Sequence, residues 1–290
     1  MDAPLLLHFV TVTIFSLMLA IGINHSLPQL TSLWRRPDLL LRSLLAVIVL
    51  VPMVVILLLR VFDLPLAVAT GLAVLAAAPG APLTTKRTQM AAGDPNYAAS
   101  LQLTLALSAV VITPLTLGIF YALFELGTER VTAVDVALQV GEVTFLPVII
   151  GLLIQRFAPG IAGRLGKPVR VLANVLFLLL FIILIVLLVL APDLRAMLKL
   201  GWLPTAAIIL MVGVSLAIGH LLGGPAKEQR SVLAIASIAR NVGLALFIAG
   251  LSDYEQQFVP TLLAYMILGA ILAVPYSVWS KRQIKSREGS

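Results

Sequence analysis

The chain has 290 residues, 60% of them hydrophobic and only 11% charged, with a mean hydropathy of +1.08; these proportions lie far outside those of soluble domains and mark an integral membrane protein. Cysteine is absent, which excludes disulfides, thiolate metal sites and cysteine nucleophiles. The net charge of +7 would point to nucleic acid in a soluble protein, but in a membrane bundle it reports topology, and no nucleic-acid partner is expected.

At about 20 apolar residues per crossing, the sequence divides into nine spans at roughly 5–26, 39–60, 66–92, 97–124, 132–155, 168–190, 202–222, 229–251 and 258–280. The connections are short and leave no room for a soluble domain, so residues 1–290 form one transmembrane domain with a basic tail at 281–290. The first run follows only Met1-Asp2-Ala3-Pro4, without a basic n-region or a small-residue cleavage site, and reads as a retained span. If the spans alternate, Arg35, Arg36, Arg42, Arg156, Arg164, Lys167, Arg170, Lys227, Arg230, Lys281, Arg282, Lys285 and Arg287 share one side. The other side holds Asp63, Glu125, Glu129, Asp135, Asp193, Asp253 and Glu255 with only Arg60, Arg130, Arg195 and Lys199. The positive-inside rule then places the N-terminus outside and the C-terminus in the cytoplasm, in a bacterial-type inner membrane surrounded by lipid.

Two spans are interrupted. In Leu75-Ala76-Ala77-Ala78-Pro79-Gly80-Ala81-Pro82-Leu83-Thr84-Thr85-Lys86-Arg87, prolines around a glycine remove helix donors, and the hydroxyls and cations that follow rarely serve packing alone. In Ile235-Ala236-Ser237-Ile238-Ala239-Arg240-Asn241-Val242-Gly243 a cation and an amide interrupt a second apolar run. Broken helices in corresponding halves are the best sequence pointer to a transporter's binding site. Pro4 and Pro79 are separated by nearly the same length as Pro168 and Asn241, and each interval covers two spans and reaches a break. The first repeat, about 1–124, and the second, about 132–280, therefore enter from opposite sides, with the span at 132–155 unpaired and the first repeat short of one helix.

Lys86 lies six residues after Gly80, about 9 Å along a helix, close to the first turn of the second half-helix, where free N–H groups attract carboxylates. Pro82 suits a first helical position, and Thr84 or Thr85 is placed to cap that turn or touch a ligand. Adjacent residues point about 100° apart, so Lys86 is assigned to the cavity and Arg87 to the opposite face, snorkelling toward the cytoplasm. Arg240 offers a guanidinium suited to a bidentate carboxylate or to a structural ion pair. Glu142 is the one acidic residue deep in a span; it is expected to pair with Arg240 or Lys86, either as a structural counter-ion or as a proton carrier. His8, His25 and His220 lack ligand spacing and read as interfacial or packed. Trp34, Trp202 and Trp279 fall near span ends as belt anchors. No catalytic constellation is present, the Gly93-Asp94 pair lacking the first glycine and second aspartate of intramembrane aspartyl proteases, so an enzyme is not expected.

The order and spacing of Val51-Pro52, Ala78-Pro79-Gly80, Gly93-Asp94, Leu146-Pro147 with Gly151, and Asn241-Val242-Gly243-Leu244-Ala245 resemble the bile acid:sodium symporter superfamily along essentially the whole chain. The resemblance implies an all-α membrane fold with panel and core domains, two broken helices crossing near the bilayer centre, and alternating access for organic anions coupled to sodium. The residues that stand where the family has sodium ligands depart from it. They are Thr84, Thr85, Ala98, Gln102, Ala236 and Arg240, together with the apolar run Ala46-Val47-Ile48 before Pro52. A hard cation prefers several oxygens with a carboxylate among them. The expectation is a sodium-independent carrier of a small organic anion, with Lys86 and Arg240 standing in for sodium charge, Gly80, Thr84, Thr85, Lys86, Arg240 and Asn241 at the substrate, and Glu142 as counter-ion. No metal or cofactor is expected, and protons are a candidate coupling ion. A conventional sodium-coupled symporter is the alternative, with an anion channel or a membrane sensor further off; an arsenite-efflux carrier would need the cysteine this chain lacks.

Overall fold

The computed structural model describes residues 3–82, 84–124, 126, 132–190, 201–250 and 255–288, and every regular element among them is helical. Besides a short helix at Leu27–Leu30 and a 3-10 turn at Ser32–Arg35, the helices are α1 (Ala3–Asn24), α2 (Pro37–Val61), α3 (Leu66–Ala77), α4 (Thr84–Met90), α5 (Pro95–Phe124), α6 (Ala133–Phe157), α7 (Pro159–Leu190), α8 (Trp202–Leu222), α9 (Lys227–Ile238), α10 (Val242–Gly250) and α11 (Glu255–Glu288). By length and composition six described stretches can cross a membrane: α2, α5, α6, α8, the pair α9–α10 taken together, and Phe258–Ile284 of α11. Thr11–Asn24 of α1 and helix α3 are shorter apolar stretches. The span expected from residue 168 belongs to a helix that begins at Pro159 and carries Pro168 in its interior.

Local chemistry explains the ends and irregularities. Thr132 caps α6: its hydroxyl accepts from the Asp135 N–H at 3.2 Å, while Asp135 Oδ2 accepts the Thr132 N–H at 2.9 Å, a reciprocal box that fixes the first turn. Asp94 Oδ1 accepts the N–H groups of Asn96 and Tyr97 and so starts α5, which gives the Gly93-Asp94 pair a structural reason. Both α2 and α6 contain a π-helical turn, Leu45–Leu50 and Gly141–Phe145, immediately before Val51-Pro52 and Leu146-Pro147. A proline inside a helix lacks a donor and collides with the preceding turn, and one extra residue in that turn relieves the collision.

Helices α1, α6 and α7 pack on one another, and the remaining helices pack chiefly among themselves around α3, α5, α9 and α11. Within the first group Gly22 of α1 packs against Gly151 of α6, where a Cβ on Gly151 would stand 2.7 Å from the Gly22 carbonyl carbon. Small residues allow such backbone contact, which drives helix association when lipid supplies no hydrophobic force.

Several helix ends are tied together by hydrogen bonds. At one end of the bundle the Lys227 ammonium donates to the Gln283 carbonyl at 2.9 Å, the Ser231 and Ser280 hydroxyls both donate to the Ala91 carbonyl, and Asn24 donates to Gly166. At the other end the Arg60 guanidinium sits 5.1 Å from the centre of the Phe124 ring. Of the charges expected there, Glu125, Glu129, Arg130, Asp193, Arg195, Lys199 and Asp253 lie outside the described residues.

Candidate functional site

The two breaks lie side by side and hydrogen-bond to each other. The Asn241 N–H donates to the Ala78 carbonyl at 2.9 Å, and the Ala81 N–H donates to the Ala239 carbonyl at 3.2 Å. Unwound backbone inside a membrane must find such partners or face water. Gly80 sits in the first break with φ +79°, a left-handed conformation that glycine tolerates and other residues resist. A Cβ there would also stand 2.9 Å from the Leu105 Cβ and 3.0 Å from the Ala106 nitrogen. Gly80 therefore packs the crossing against α5.

Arg240 is 3% exposed and lines neither of the two cavities that flank the crossing. Its Nε donates to the Leu75 carbonyl at 2.8 Å, its Nη1 to the Val47 carbonyl at 3.2 Å, and its Nη2 to the Ala76 carbonyl. Leu75 and Ala76 belong to the last turn of α3, which carries the negative end of the dipole and lacks the donors of a continuing helix, the Leu75 carbonyl receiving the Ala78 N–H at 3.2 Å. A guanidinium on that turn is both a cap and a counter-charge. The matching end of α9 is capped by the Tyr265 hydroxyl from α11, which donates to the Ile238 carbonyl at 2.9 Å. Asn241 is the cap of α10: its Oδ1 accepts the Leu244 N–H at 3.0 Å.

The threonines after the first break are also engaged. Thr84 donates its hydroxyl to the Ala81 carbonyl at 2.7 Å. Thr85 donates both its hydroxyl and its N–H to Gln102 Oε1, at 2.7 and 3.1 Å, and the Gln102 amide donates in turn to the Met18 sulfur at 3.3 Å. Thr84, Thr85 and Gln102 are buried, as are the methyl groups of Ala98 and Ala236. No cluster of three His, Cys, Asp or Glu able to hold a metal exists among the described residues. These residues do not fit a hard cation, which wants several free oxygens and a carboxylate.

Two cavities flank the crossing, both bordered by Pro82 and by α1. The larger, about 240 Å³, lies between α1, α4 and α7 and is lined by Thr85, Lys86 and Gln89, by Asn24 and His25, and by Arg170 and Asn174. The smaller, about 40 Å³, lies between α1, α6 and α10 and reaches Asn241, Gln139 and Thr144. Lys86 thus faces the larger cavity, while Arg87 turns away, within electrostatic reach of Tyr265.

Glu142 is not the buried partner expected of it. Its side chain is exposed, in a row along α6 with Val134, Leu138, Leu146, Ile149 and Leu153, which are also exposed. Its place four residues after Leu138 sets it on that outward row, and the main-chain carbonyls around Arg240 take the guanidinium that it was expected to neutralise. Conversely, the sequence marks Arg170 only as a charge near a span end and does not single out Asn24 or Asn174. Arg170 and Asn174 are four apart on α7, hence on one face, and that spacing was the available signal. Among the histidines, His220 Nδ1 lies 2.9 Å from the Tyr276 hydroxyl, with its ring against Trp279, while His25 sits beside the Ile21 carbonyl at the mouth of the larger cavity.

The profile of the Sodium Bile acid symporter family matches residues 11–194, well over half of the chain. The chain belongs to the sodium bile acid symporter family. It is similar to the "Probable sodium/metabolite cotransporter BASS3, chloroplastic" of Oryza sativa subsp. japonica, with 26% identity over 145 residues. The aligned stretch covers 50% of this chain and 33% of that protein. The aligned stretch thus spans about a third of that relative's length, and family membership together with the six membrane-length apolar stretches makes this chain an integral membrane protein.

Proposed function

We propose that the protein is a secondary carrier that moves a small organic anion by alternating access without requiring sodium. The observation that carries this reading is the Arg240 guanidinium, fixed at the crossing by the carbonyls of Leu75, Ala76 and Val47. Carbonyl oxygens converging at the end of a half-helix are where a transporter coordinates a monovalent cation. Here a tethered cation already occupies them and cannot dissociate with each cycle. Lys86 supplies a second positive charge to the larger cavity.

In this reading α1, α6 and α7 form the panel and the other helices the core. Helices α1, α2, α3–α4 and α5 correspond to α7, α8, α9–α10 and α11 as inverted repeats, with α6 outside the pairing. The two cavities lie at different heights along α1, at Leu17–Asn24 and at Thr11–Ile14, and the two breaks separate them. The larger is the side open to substrate, and the smaller is its collapsed counterpart; rocking of panel against core exchanges their sizes. With the basic span ends in the cytoplasm, the larger cavity faces inward. Asn241 touches only the smaller one, and so meets substrate in the outward-facing half of the cycle.

The test is counterflow in proteoliposomes loaded with a carboxylate panel, in sodium, potassium or choline medium. Saturable exchange that is equal in all three supports the reading, whereas conductance without saturation would indicate a channel.

A further inference from the structure

We infer that the transported anion carries two negative groups, one met by Lys86 and the other by Arg170; this rests on the carrier reading above. Lys86 projects from α4 and Arg170 from α7, so the two cations of the larger cavity come from different helices. Among the described residues that line this cavity none is acidic, and the other polar groups are the amides of Asn24, Gln89 and Asn174, the Thr85 hydroxyl and the His25 ring.

Arg170 differs from its basic neighbours Arg164 and Lys167 on the same helix in being held toward the cavity. The Asn24 amide donates to the Ala20 carbonyl at 2.7 Å and to the Gly166 carbonyl at 3.2 Å. With Nδ2 so fixed, Asn24 Oδ1 is turned toward Arg170 and accepts from its Nη2. The remaining guanidinium donors are left for an anion, which a planar fork binds in two-point fashion. Asn174, one turn further along α7, adds an amide on the same face.

Charge balance then selects the ligand class. In the cycle the cavity closes and loses water, and Coulomb interactions strengthen as the local dielectric falls. A monoanion would leave one of the two cations uncompensated in the closed state. A short dianion compensates both and bridges the two helices, coupling its own presence to closure. A small aliphatic dicarboxylate is the simplest molecule of this kind.

The experiment compares uptake of malonate, succinate and glutarate with uptake of their monoacid counterparts propionate, butyrate and valerate, at neutral pH in proteoliposomes. The full-length protein is used alongside Arg170→Gln, Arg170→Lys and Arg164→Gln. The expected result is a preference of at least tenfold in kcat/KM for a dianion over its monoanion. Arg170→Gln abolishes that preference, while Arg170→Lys, which keeps the charge, retains most of it and shows that the position tolerates replacement. Arg164→Gln leaves the preference as it was. Monoanions carried as well as dianions by the unmodified protein, or Arg170→Gln lowering both classes equally, would overturn the inference and leave the carrier reading intact. Failure to move any of the six anions, or a wider carboxylate panel, would overturn both.

Discussion

Arg240 reaches from the second break to the carbonyl of Val47, 3.2 Å away in α2, and supplies the donor that Pro52 lacks. The Val51 N–H is bonded to Ala46 in the π-helical turn, and residue 52 has no N–H to offer. A proline in one helix and an arginine in another are thus two parts of one hydrogen-bond solution.

Replacing Arg240 with Ala removes a donor from three buried carbonyls, of which Leu75 keeps the Ala78 N–H. At roughly 1–3 kcal/mol for each unsatisfied group, the loss is several kcal/mol, and Arg240→Lys, with a single ammonium head, recovers only part of it. Thermal unfolding in detergent measures the series. Equal stability of the lysine and arginine forms would show that the fork geometry is not needed.

Gly80→Ala forces a Cβ into a left-handed residue pressed against Leu105 and Ala106. The backbone strain alone is about 1 kcal/mol or more, and the collision displaces α5 from the crossing. The expected outcome is a lowered unfolding temperature together with lost uptake; full activity in the alanine variant would mean the break has room to spare.

Lys86→Met should raise the KM for the transported anion by at least tenfold, because a hydrogen bond to a charged group contributes about 1.5–3 kcal/mol. Arg87→Met should leave KM unchanged, since Arg87 faces away from the cavity. Concentration-dependent uptake by the two variants reads this directly, and a similar KM for both would contradict the assignment of Lys86.

Gln102→Leu leaves the Thr85 hydroxyl and N–H without their shared acceptor. A loss of about 1–3 kcal/mol in stability is expected, with Thr85→Val in the same background adding little because the two residues act as a pair. Additive losses in this double-mutant cycle would show that the pair is not coupled.

Glu142→Gln should leave both stability and pH-driven uptake unchanged, since the carboxylate lies on the exposed row of α6 rather than against Arg240. A pH response that disappears in this variant would restore the proton-carrier role.

The first break was legible because Pro79, Gly80 and Pro82 write it into the chain. The second has no proline, and its geometry comes from contacts a sequence does not print: Ala81 on Ala239, Asn241 on Ala78, and Arg240 on three carbonyls. The roughly 100° between Lys86 and Arg87 was readable from helix geometry, and the structure turns them to different sides. Arg240 was expected at a carboxylate because a guanidinium and a carboxylate are the commoner pair; backbone carbonyls freed by a break and by a proline compete for it, and they lie nearer. Glu142 was misplaced for a related reason. Depth along a span is visible in sequence, but which side of the helix faces inward is set by packing, and Glu142 shares the outward side of Val134 and Leu138.

The most direct test of the tethered-cation account is the initial rate of anion uptake into proteoliposomes as external sodium is replaced by choline at constant ionic strength. The account predicts a saturable rate that does not change with sodium. A rate that climbs steeply with sodium and vanishes without it would contradict it, and would mean that a free cation binds beside Arg240 instead of being replaced by it.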